Sequence, residues 1–338
     1  MMISSFYKFD FSQEKNISEL FSFNQEELVL IKGSSNRFKK EKVVYHCLFK
    51  KAARWRSKQP TIIICIKDNV ELLSFTLKNL FDKKVAEQAN IIVVDDRSTR
   101  DIKSVVQYHD VNYIRVDNNK GFNFSMLNNI GAYAANKLGT EEIILWNSDL
   151  WASEEDTLPK LLSFHRQNKS TISGTKLLYP PSETSFNKED NTDNIKKNFP
   201  NKLDTWRETI QFGGSFWFPN GNGISPHHFL RFGSPTDPRA NCNKGEGFIT
   251  GAFQIINTKW FTENGGLNPS LSKNFQDSDI CLRALENNSP IFYFGKDLFF
   301  YHDESVSLEK EGKMDHQLLN DSVLFSKIWN EKIKKLIF

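Results

Sequence analysis

No run of apolar residues approaches the length of about 18 that a membrane-crossing helix needs, so nothing reads as a span. Cysteine is sparse and scattered. Cys47, Cys65, Cys242 and Cys281 form no CxxC pair, which argues against a zinc knuckle or a dithiol redox motif. Cys65 lies in an apolar strand pattern, and all four read as reduced thiols of a cytoplasmic protein. Charge excess is lacking as well. A formal net charge of +3 gives no electrostatic ground for nucleic acid as a partner. The opening residues, MMISSFYKFDFSQEKN, contain no apolar h-region, so no signal peptide is expected.

What is present suits a globular chain with a sizeable core. Hydrophobic residues make up 39% and charged residues 25%, enough for one large α/β domain with appendages or two modest domains. The 29 phenylalanines read first as core, although aromatic faces also stack on sugar rings.

Strand and helix signals alternate from Pro60 onward. TIIICI (61–66) and IIVVDD (91–96) are continuous β-branched runs of the kind buried on both faces of a parallel sheet. Further strands are expected at 111–116, 141–147, 247–257 and 290–294, with helices at 70–81, 101–108, 122–138, 277–287 and 323–338. The spacing is that of βαβ units, so a parallel α/β sheet is predicted. Residues 1–59 read as an appendage whose basic part, 42–58, is expected to be helical. It would lie on an anionic membrane surface or pack on the domain. Residues 180–245 read as a long irregular insertion, and 311–338 as an amphipathic C-terminal segment.

In such a sheet ligands gather beyond the carboxyl ends of the strands. Four polar clusters stand there. Asp95-Asp96 offers carboxylates for a base or ribose, or simply a strand-end turn. Asn147-Ser148-Asp149 offers oxygen ligands for a divalent cation, or a turn. Gln276-Asp277-Ser278-Asp279 complements a helix dipole, or supplies Asp277 as a general base. Tyr301-His302-Asp303-Glu304-Ser305 contains one histidine, structural or a metal or phosphate contact. In the insertion, GGSFWFPNGNGISPHHFLRFG (213–233) supplies Trp217 and other aromatics, either a sugar platform or packing; His227-His228 lacks a third metal ligand. The C-terminal helix has an apolar stripe with lysines beside it, suited to a membrane interface, to dimerisation or to packing on the domain. A dinucleotide-dependent oxidoreductase would need G-x-G-x-x-G after the first strand, where Ile66-Lys67-Asp68-Asn69 contains no glycine.

The order of these segments resembles family 2 glycosyltransferases of the GT-A fold, over about residues 60–306, and most of all the bacterial rhamnosyltransferase-like branch. IIVVDDRSTRD is similar to the family's nucleotide-binding strand and turn. NKGFNFSMLNNIGAYAA is similar to its N-x-G-F…N-x-G…A helix, and IILWNSD stands where its DxD variant belongs. ITGAFQIINTKWFTENGGLNPSL resembles its acceptor-side TGA…GGFDE segment, QDSDICLRA its EDVDLCLR motif and YHDES its HHES tail. Single motifs are moderately specific; six in order are strongly so.

The resemblance implies an inverting transferase. It would move a sugar from a UDP- or dTDP-linked donor to a glycan or lipid-linked oligosaccharide, in surface polysaccharide synthesis. The implied location is cytoplasmic, with the inner leaflet as a possible membrane surface. Asp68, Asp95, Asp96, Asn119, Gly121 and Asn128 are implied at the nucleotide. Asp149 and His302 are implied at Mn²⁺ or Mg²⁺, and Asp277 as the base. Asn147, Trp217, Gly251, Gln276 and Asp279 are implied at the donor and acceptor sugars. Asn147 in place of an aspartate, Gln276 in place of a glutamate, and the Lys67-Asp68 pair depart from the family pattern. A carbohydrate binder that kept the fold but lost catalysis is the competing reading.

Overall fold

A computed structural model describes residues 27–34, 42–50, 52, 55–117, 121–186, 206–220, 223–304 and 316–337, with only the backbone treated in the first two segments. The strands are β1 (Glu27–Ser34), β2 (Lys42–Lys50), β3 (Thr61–Ile66), β4 (Asn90–Asp95), β5 (Asn112–Asp117), β6 (Glu142–Trp146), β7 (Leu150–Ala152), β8 (Ile172–Gly174) and β9 (Lys176–Leu178). They continue with β10 (Ile210–Phe212), β11 (Ser215–Asn220), β12 (Gly223–His228), β13 (Asn243–Gly245), β14 (Phe253–Asn257), β15 (Ile291–Phe294) and β16 (Phe299–His302). The helices are α1 (Val70–Asp82), α2 (Val85–Gln88), α3 (Ile102–Tyr108), α4 (Phe124–Lys137), α5 (Thr157–Gln167), α6 (Thr258–Glu263), α7 (Gln276–Glu286) and α8 (His316–Ile337).

The architecture is α/β, built on a ten-stranded sheet of order β1-β2-β5-β4-β3-β6-β14-β8-β15-β13. Its centre, β5-β4-β3-β6, is parallel as expected. Outside that centre the sheet is mixed: β8 and β15 are parallel, and the other pairs antiparallel. β14 runs antiparallel to both β6 and β8, β13 antiparallel to β15, and β2 antiparallel to β5. Ile62, Ile63 and Ile64 of β3 and Ile92, Val93 and Val94 of β4 are fully buried, which is why these runs carry no polar alternation. On one face α4 lies close to the sheet because Gly131 has no side chain. A Cβ there would stand 2.6 Å from Ile63 Cγ2 and 3.1 Å from Val94 Cγ2.

Two expectations are corrected here. Residues 42–50 are a strand, not part of a helix: β2 pairs along β5 and covers what would otherwise be an open sheet edge. The stretch 180–245 is also more regular than its composition suggests. It contains β10, β13 and the β11–β12 hairpin, whose register pairs Phe216 with His227 and Trp217 with Pro226. The strand expected at 247–257 is confined to β14.

A four-stranded sheet, β10-β9-β16-β7, carries one wall of the site. The parallel pairs β8–β15 and β9–β16 pass from the large sheet into the small one. Thr175 Oγ1 secures that step by donating to the carbonyls of Phe294 (2.7 Å) and Leu298 (3.2 Å). The crossing sets His302, the last residue of β16, opposite Leu150 of β7.

The apolar stripe of α8 points inward. Phe325, Trp329 and Ile333 are buried with Ile224, Leu271 and Leu282 in a second core cluster. These three residues of the stripe pack on the chain itself, with Leu324, Ile328 and Leu336 partly buried against the same cluster. No helix among the described residues is long and apolar enough to cross one.

Candidate active site

The nucleotide end is built on the turns after β3 and β4. Asp68 adopts the left-handed region (φ 55°). Its Oδ1 accepts from the Thr99 amide (2.6 Å), the Thr99 hydroxyl (2.9 Å) and the Arg100 amide (3.3 Å), so it clasps the turn after β4. Partial burial works to raise its pKa, but the Thr99 and Arg100 bonds outweigh it and hold the carboxyl below the usual range. Asp95 and Asp96 point to opposite sides, as neighbours on a strand do. Asp95 is consumed internally: Oδ1 accepts from the Ser98 amide (2.9 Å), and Oδ2 from the Tyr113 hydroxyl (2.6 Å) and Arg115 Nη1 (3.3 Å). Asp96, also buried, sits between the half-exposed cations Lys67 (3.5 Å) and Arg97 (3.8 Å). Arg97, Tyr113 and Arg115 were not anticipated. Their only sequence signal is proximity to strand ends.

Asn119 lies outside the described residues. Gly121 is left-handed (φ +87°), and nothing described lies within 4 Å of where its Cβ would stand. Asn128 is buried inside α4, its amide donating to the Phe124 carbonyl at 2.9 Å, so it is spent on the helix itself. The neighbouring Asn129 is the more consequential residue. It donates to the Leu267 carbonyl and accepts from the Leu267 amide, both at 2.8 Å. With Ser125 donating to the Leu271 carbonyl (2.5 Å), it stitches α4 to the loop that leads into α7.

The metal end forms where β6 leaves the sheet. Asp149 and His302 are brought together as the motifs implied: His302 Nε2 lies 3.2 Å from Asp149 Oδ1, with both residues buried. Asn147 Nδ2 is 3.3 Å from the same ring nitrogen. Burial opposes protonation of His302, but the Asp149 charge overrides it and raises the imidazole's pKa. Asn147 Oδ1 and His302 Nδ1 are buried without a hydrogen-bond partner. Asp149 Oδ1, His302 Nε2 and the unpartnered Asn147 Oδ1 are oxygen and imidazole donors of the kind that fit Mn²⁺ or Mg²⁺. Among the described residues no three His, Cys, Asp or Glu side chains gather around one point. A cation held here would need additional oxygen ligands, such as those a diphosphate offers.

Asp277 lies in the first turn of α7. Its Oδ2 accepts from the Gly251 amide (2.8 Å) and its Oδ1 from the Ser278 amide (2.7 Å). Burial raises its pKa, and the amide bonds only partly offset this. Gly251 is needed small, since a Cβ would stand 3.2 Å from Asp277 Cβ. Gln276 is buried with Oε1 unpartnered, and Trp217 is half-buried with Nε1 unpartnered. Asp279 faces away from this group. Its Oδ2 binds Arg283 Nε (3.0 Å) and its Oδ1 accepts from Trp329 Nε1 (2.9 Å), so it fastens α8 and contacts no open space.

One backbone bond joins the two ends. The Asn147 amide donates to the Ala252 carbonyl at 3.0 Å, continuing the β6–β14 pairing past Trp146–Phe253. Asn147 and Asp149 thus lie one short turn from Gly251, which holds Asp277.

A hexosyltransferase of low-salt glycan biosynthesis, Agl10 of Haloferax volcanii, is 27% identical over 103 residues, 30% of this chain and 32% of that protein. The chain thus spans about a third of that relative's length. Among solved structures, the mannosyltransferase PcManGT of Pyrobaculum calidifontis, in complex with GDP-Man and Mn²⁺, aligns with a TM-score of 0.46 and 10% identity, over 84% of this chain and 72% of that one. S. aureus TarS 1–349 aligns with a TM-score of 0.46 and 14% identity, over 80% and 70%. The sequence model described as Glycosyl transferase family 2 matches residues 61–229, half of the chain, and the protein belongs to that family.

Proposed function

We propose that this family member is an inverting, divalent-metal-dependent hexosyltransferase, taking a nucleoside diphosphate sugar and a hydroxyl of a glycan or lipid-linked oligosaccharide as substrates. One observation carries the reading. The Asn147–Ala252 bond joins the turn that carries Asp149, paired with His302, to the segment whose Gly251 amide donates to Asp277, a carboxylate of raised pKa, and this linkage supports the reading. Inversion requires those two functions on opposite sides of one anomeric carbon.

The roles follow from chemistry. The acceptor oxygen forms a bond to the anomeric carbon, while the bond from that carbon to the diphosphate oxygen breaks and leaves its electron pair on the diphosphate. Asp277 takes the acceptor proton, and burial brings its basicity closer to neutral pH than an ordinary aspartate's. Asp149 and His302 would hold the cation, which when bound supplies positive charge for the leaving diphosphate. Asp68 and Asp96 shape the nucleotide end; Trp217 and Gln276 supply unpaired polar atoms toward sugar hydroxyls. A lipid-linked acceptor would place the reaction at a cytoplasmic membrane face.

The test pairs binding with turnover. Nucleoside diphosphate release is measured from UDP-, GDP- and dTDP-hexoses, with and without Mn²⁺, for the wild-type chain and Asp277→Asn. Removing the base should lower turnover by about 10²–10⁴-fold with donor affinity kept. The reading is wrong if no nucleotide sugar stabilises the protein, or if Asp277→Asn turns over like wild type.

A further inference from the structure

The C-terminal helix touches the segment around the base at three points on one of its faces. Asp321 Oδ2 accepts from the backbone amides of Lys273 (2.8 Å) and Asn274 (3.0 Å), while Gln317 Nε2 donates to its Oδ1 at 2.7 Å. Four residues on, Phe325 is stacked against Phe275, ring centroids 4.8 Å apart and planes 20° from parallel. Four residues further, Trp329 Nε1 donates to Asp279 Oδ1 at 2.9 Å. The three contacts bracket Asp277 on both sides in sequence.

The segment needs such support. Phe275 is left-handed (φ 62°), a conformation unfavourable for a bulky residue and held only where the surroundings impose it. It is also the N-cap of α7 and makes no side-chain capping bond. Asp321 is fully buried, Phe325 and Trp329 almost so, and none of the three faces solvent. A helix that merely covered apolar surface would not need a buried carboxylate on two loop amides and an indole on a buried aspartate.

We propose that α8 is a positioning element for catalysis: Asp321, Phe325 and Trp329 fix residues 273–279 so that Asp277 stays against Gly251. The proposal rests on Asp277 being the base. It gives the buried residues of the helix's apolar stripe a role within the chain, and it makes the α7 start depend on a segment more than 40 residues downstream.

Three variants separate positioning from plain stability. Asp321→Ala removes the acceptor of the two loop amides, Asp321→Asn retains one oxygen for them, and Trp329→Phe keeps the ring while losing the donor to Asp279. Each is compared with wild type by hydrogen exchange, by binding of UDP and GDP, and by release of nucleoside diphosphate. The donor is whichever of UDP-glucose, UDP-N-acetylglucosamine, GDP-mannose and dTDP-rhamnose the wild type hydrolyses fastest.

Asp321→Ala and Trp329→Phe should speed exchange at residues 251 and 273–279 while the β3–β4 amides stay protected. They should lower kcat about tenfold with nucleotide affinity within twofold, and Asp321→Asn should restore most of the loss. Unchanged exchange at 273–279, kcat within twofold of wild type, or kcat and nucleotide affinity falling together would overturn it. Should Asp321→Ala fail to fold, the milder Trp329→Phe decides by the same readings. Asp277→Asn, run beside them, tells the two ideas apart: normal turnover in that variant removes the base, whereas normal exchange in the α8 variants removes only the strap.

Discussion

Replacing Gly251 by alanine adds one methyl group at the most constrained point of the site. The new Cβ would stand 3.2 Å from Asp277 Cβ and 3.4 Å from Oδ2, where carbon atoms settle at about 3.5–4.0 Å. Relief requires Asp277 to retreat by roughly 0.3–0.5 Å. A displacement of about 1 Å in a reacting group costs on the order of 10²-fold, so this retreat should lower kcat by about 4–10-fold, or about 0.8–1.4 kcal/mol in the barrier. Gly251 lies outside the left-handed region, so alanine brings no backbone strain. Reduced unfolded-state entropy contributes about 0.4–1 kcal/mol in its favour, which should leave the melting temperature within a few degrees of wild type. The assay is nucleoside diphosphate release at saturating donor, with the KM for donor as an internal control. In a double-mutant cycle with Asp277→Asn the alanine should cost nothing further, because the displaced group is already inert. Undiminished kcat in Gly251→Ala, or a full additive loss in the double variant, would refute the contact as a determinant of catalysis.

Other expectations are measurable on the same preparation. The acid limb of kcat/KM should lie above the ordinary aspartate value of 3.8, since Asp277 must be ionised to act and burial raises its pKa; a limb at or below 3.8 contradicts the assignment. The linked stability effect has the opposite sense to that of a salt-bridged carboxylate: the folded pKa exceeds the unfolded one, so stability falls as pH rises from 3.8 through the folded value. Asp277→Asn should remove that slope in urea titrations at a series of pH values. Asp149→Asn and His302→Ala should each weaken Mn²⁺ activation by at least about tenfold with little change in nucleotide affinity measured without metal, and equal activation in both variants and wild type would dismiss the pair as ligands. Asn129→Ala leaves the buried amide and carbonyl of Leu267 unpaired, a loss of about 2–4 kcal/mol in unfolding free energy, and a change below about 0.5 kcal/mol would show the seam to be unimportant.

The parallel centre was legible because each of its strands is buried on both faces and leaves an unbroken β-branched run such as Ile62–Ile64. The meeting of Asp149 and His302 came from motif order, not from spacing: 153 positions separate them, and the pairing of β7 with β16 joins them. Elsewhere the sequence said less. It marked Asp277 and Asp279 together, yet residues two apart on a helix do not share a face, and the structure sends one to Gly251 and the other to Arg283 and Trp329. The apolar stripe of α8 was visible, but periodicity reports that a face is apolar and not what covers it. Asn129 gave no signal at all, because an asparagine within a helix looks the same whether it faces water or closes a loop. The β2 strand was misread for a related reason: its register depends on β5, more than 60 residues away in sequence.

The distribution of unsatisfied polar atoms bears on why this fold tolerates its own site. Leaving a buried polar atom unpaired costs about 1–3 kcal/mol, and folded proteins keep few of them. Here Asn147 Oδ1, His302 Nδ1 and Gln276 Oε1, from three of the motifs from which the activity was read, are in that state, as is Trp217 Nε1 of the aromatic insertion; Ser170, Gln211, Gln254 and Thr258 elsewhere among the described residues each carry such an atom too. Asp95 and Asp279, which the same motifs include, are fully bonded. Asp95 and Asp279 thus hold the framework, whereas Asn147, His302 and Gln276 each carry a polar atom that the framework leaves open. Stability alone would favour filling those positions with apolar side chains. Their retention makes sense if a ligand rich in oxygen, such as a sugar diphosphate with its cation, completes them, and then the binding of donor and the relief of the fold's own polar deficit are one event.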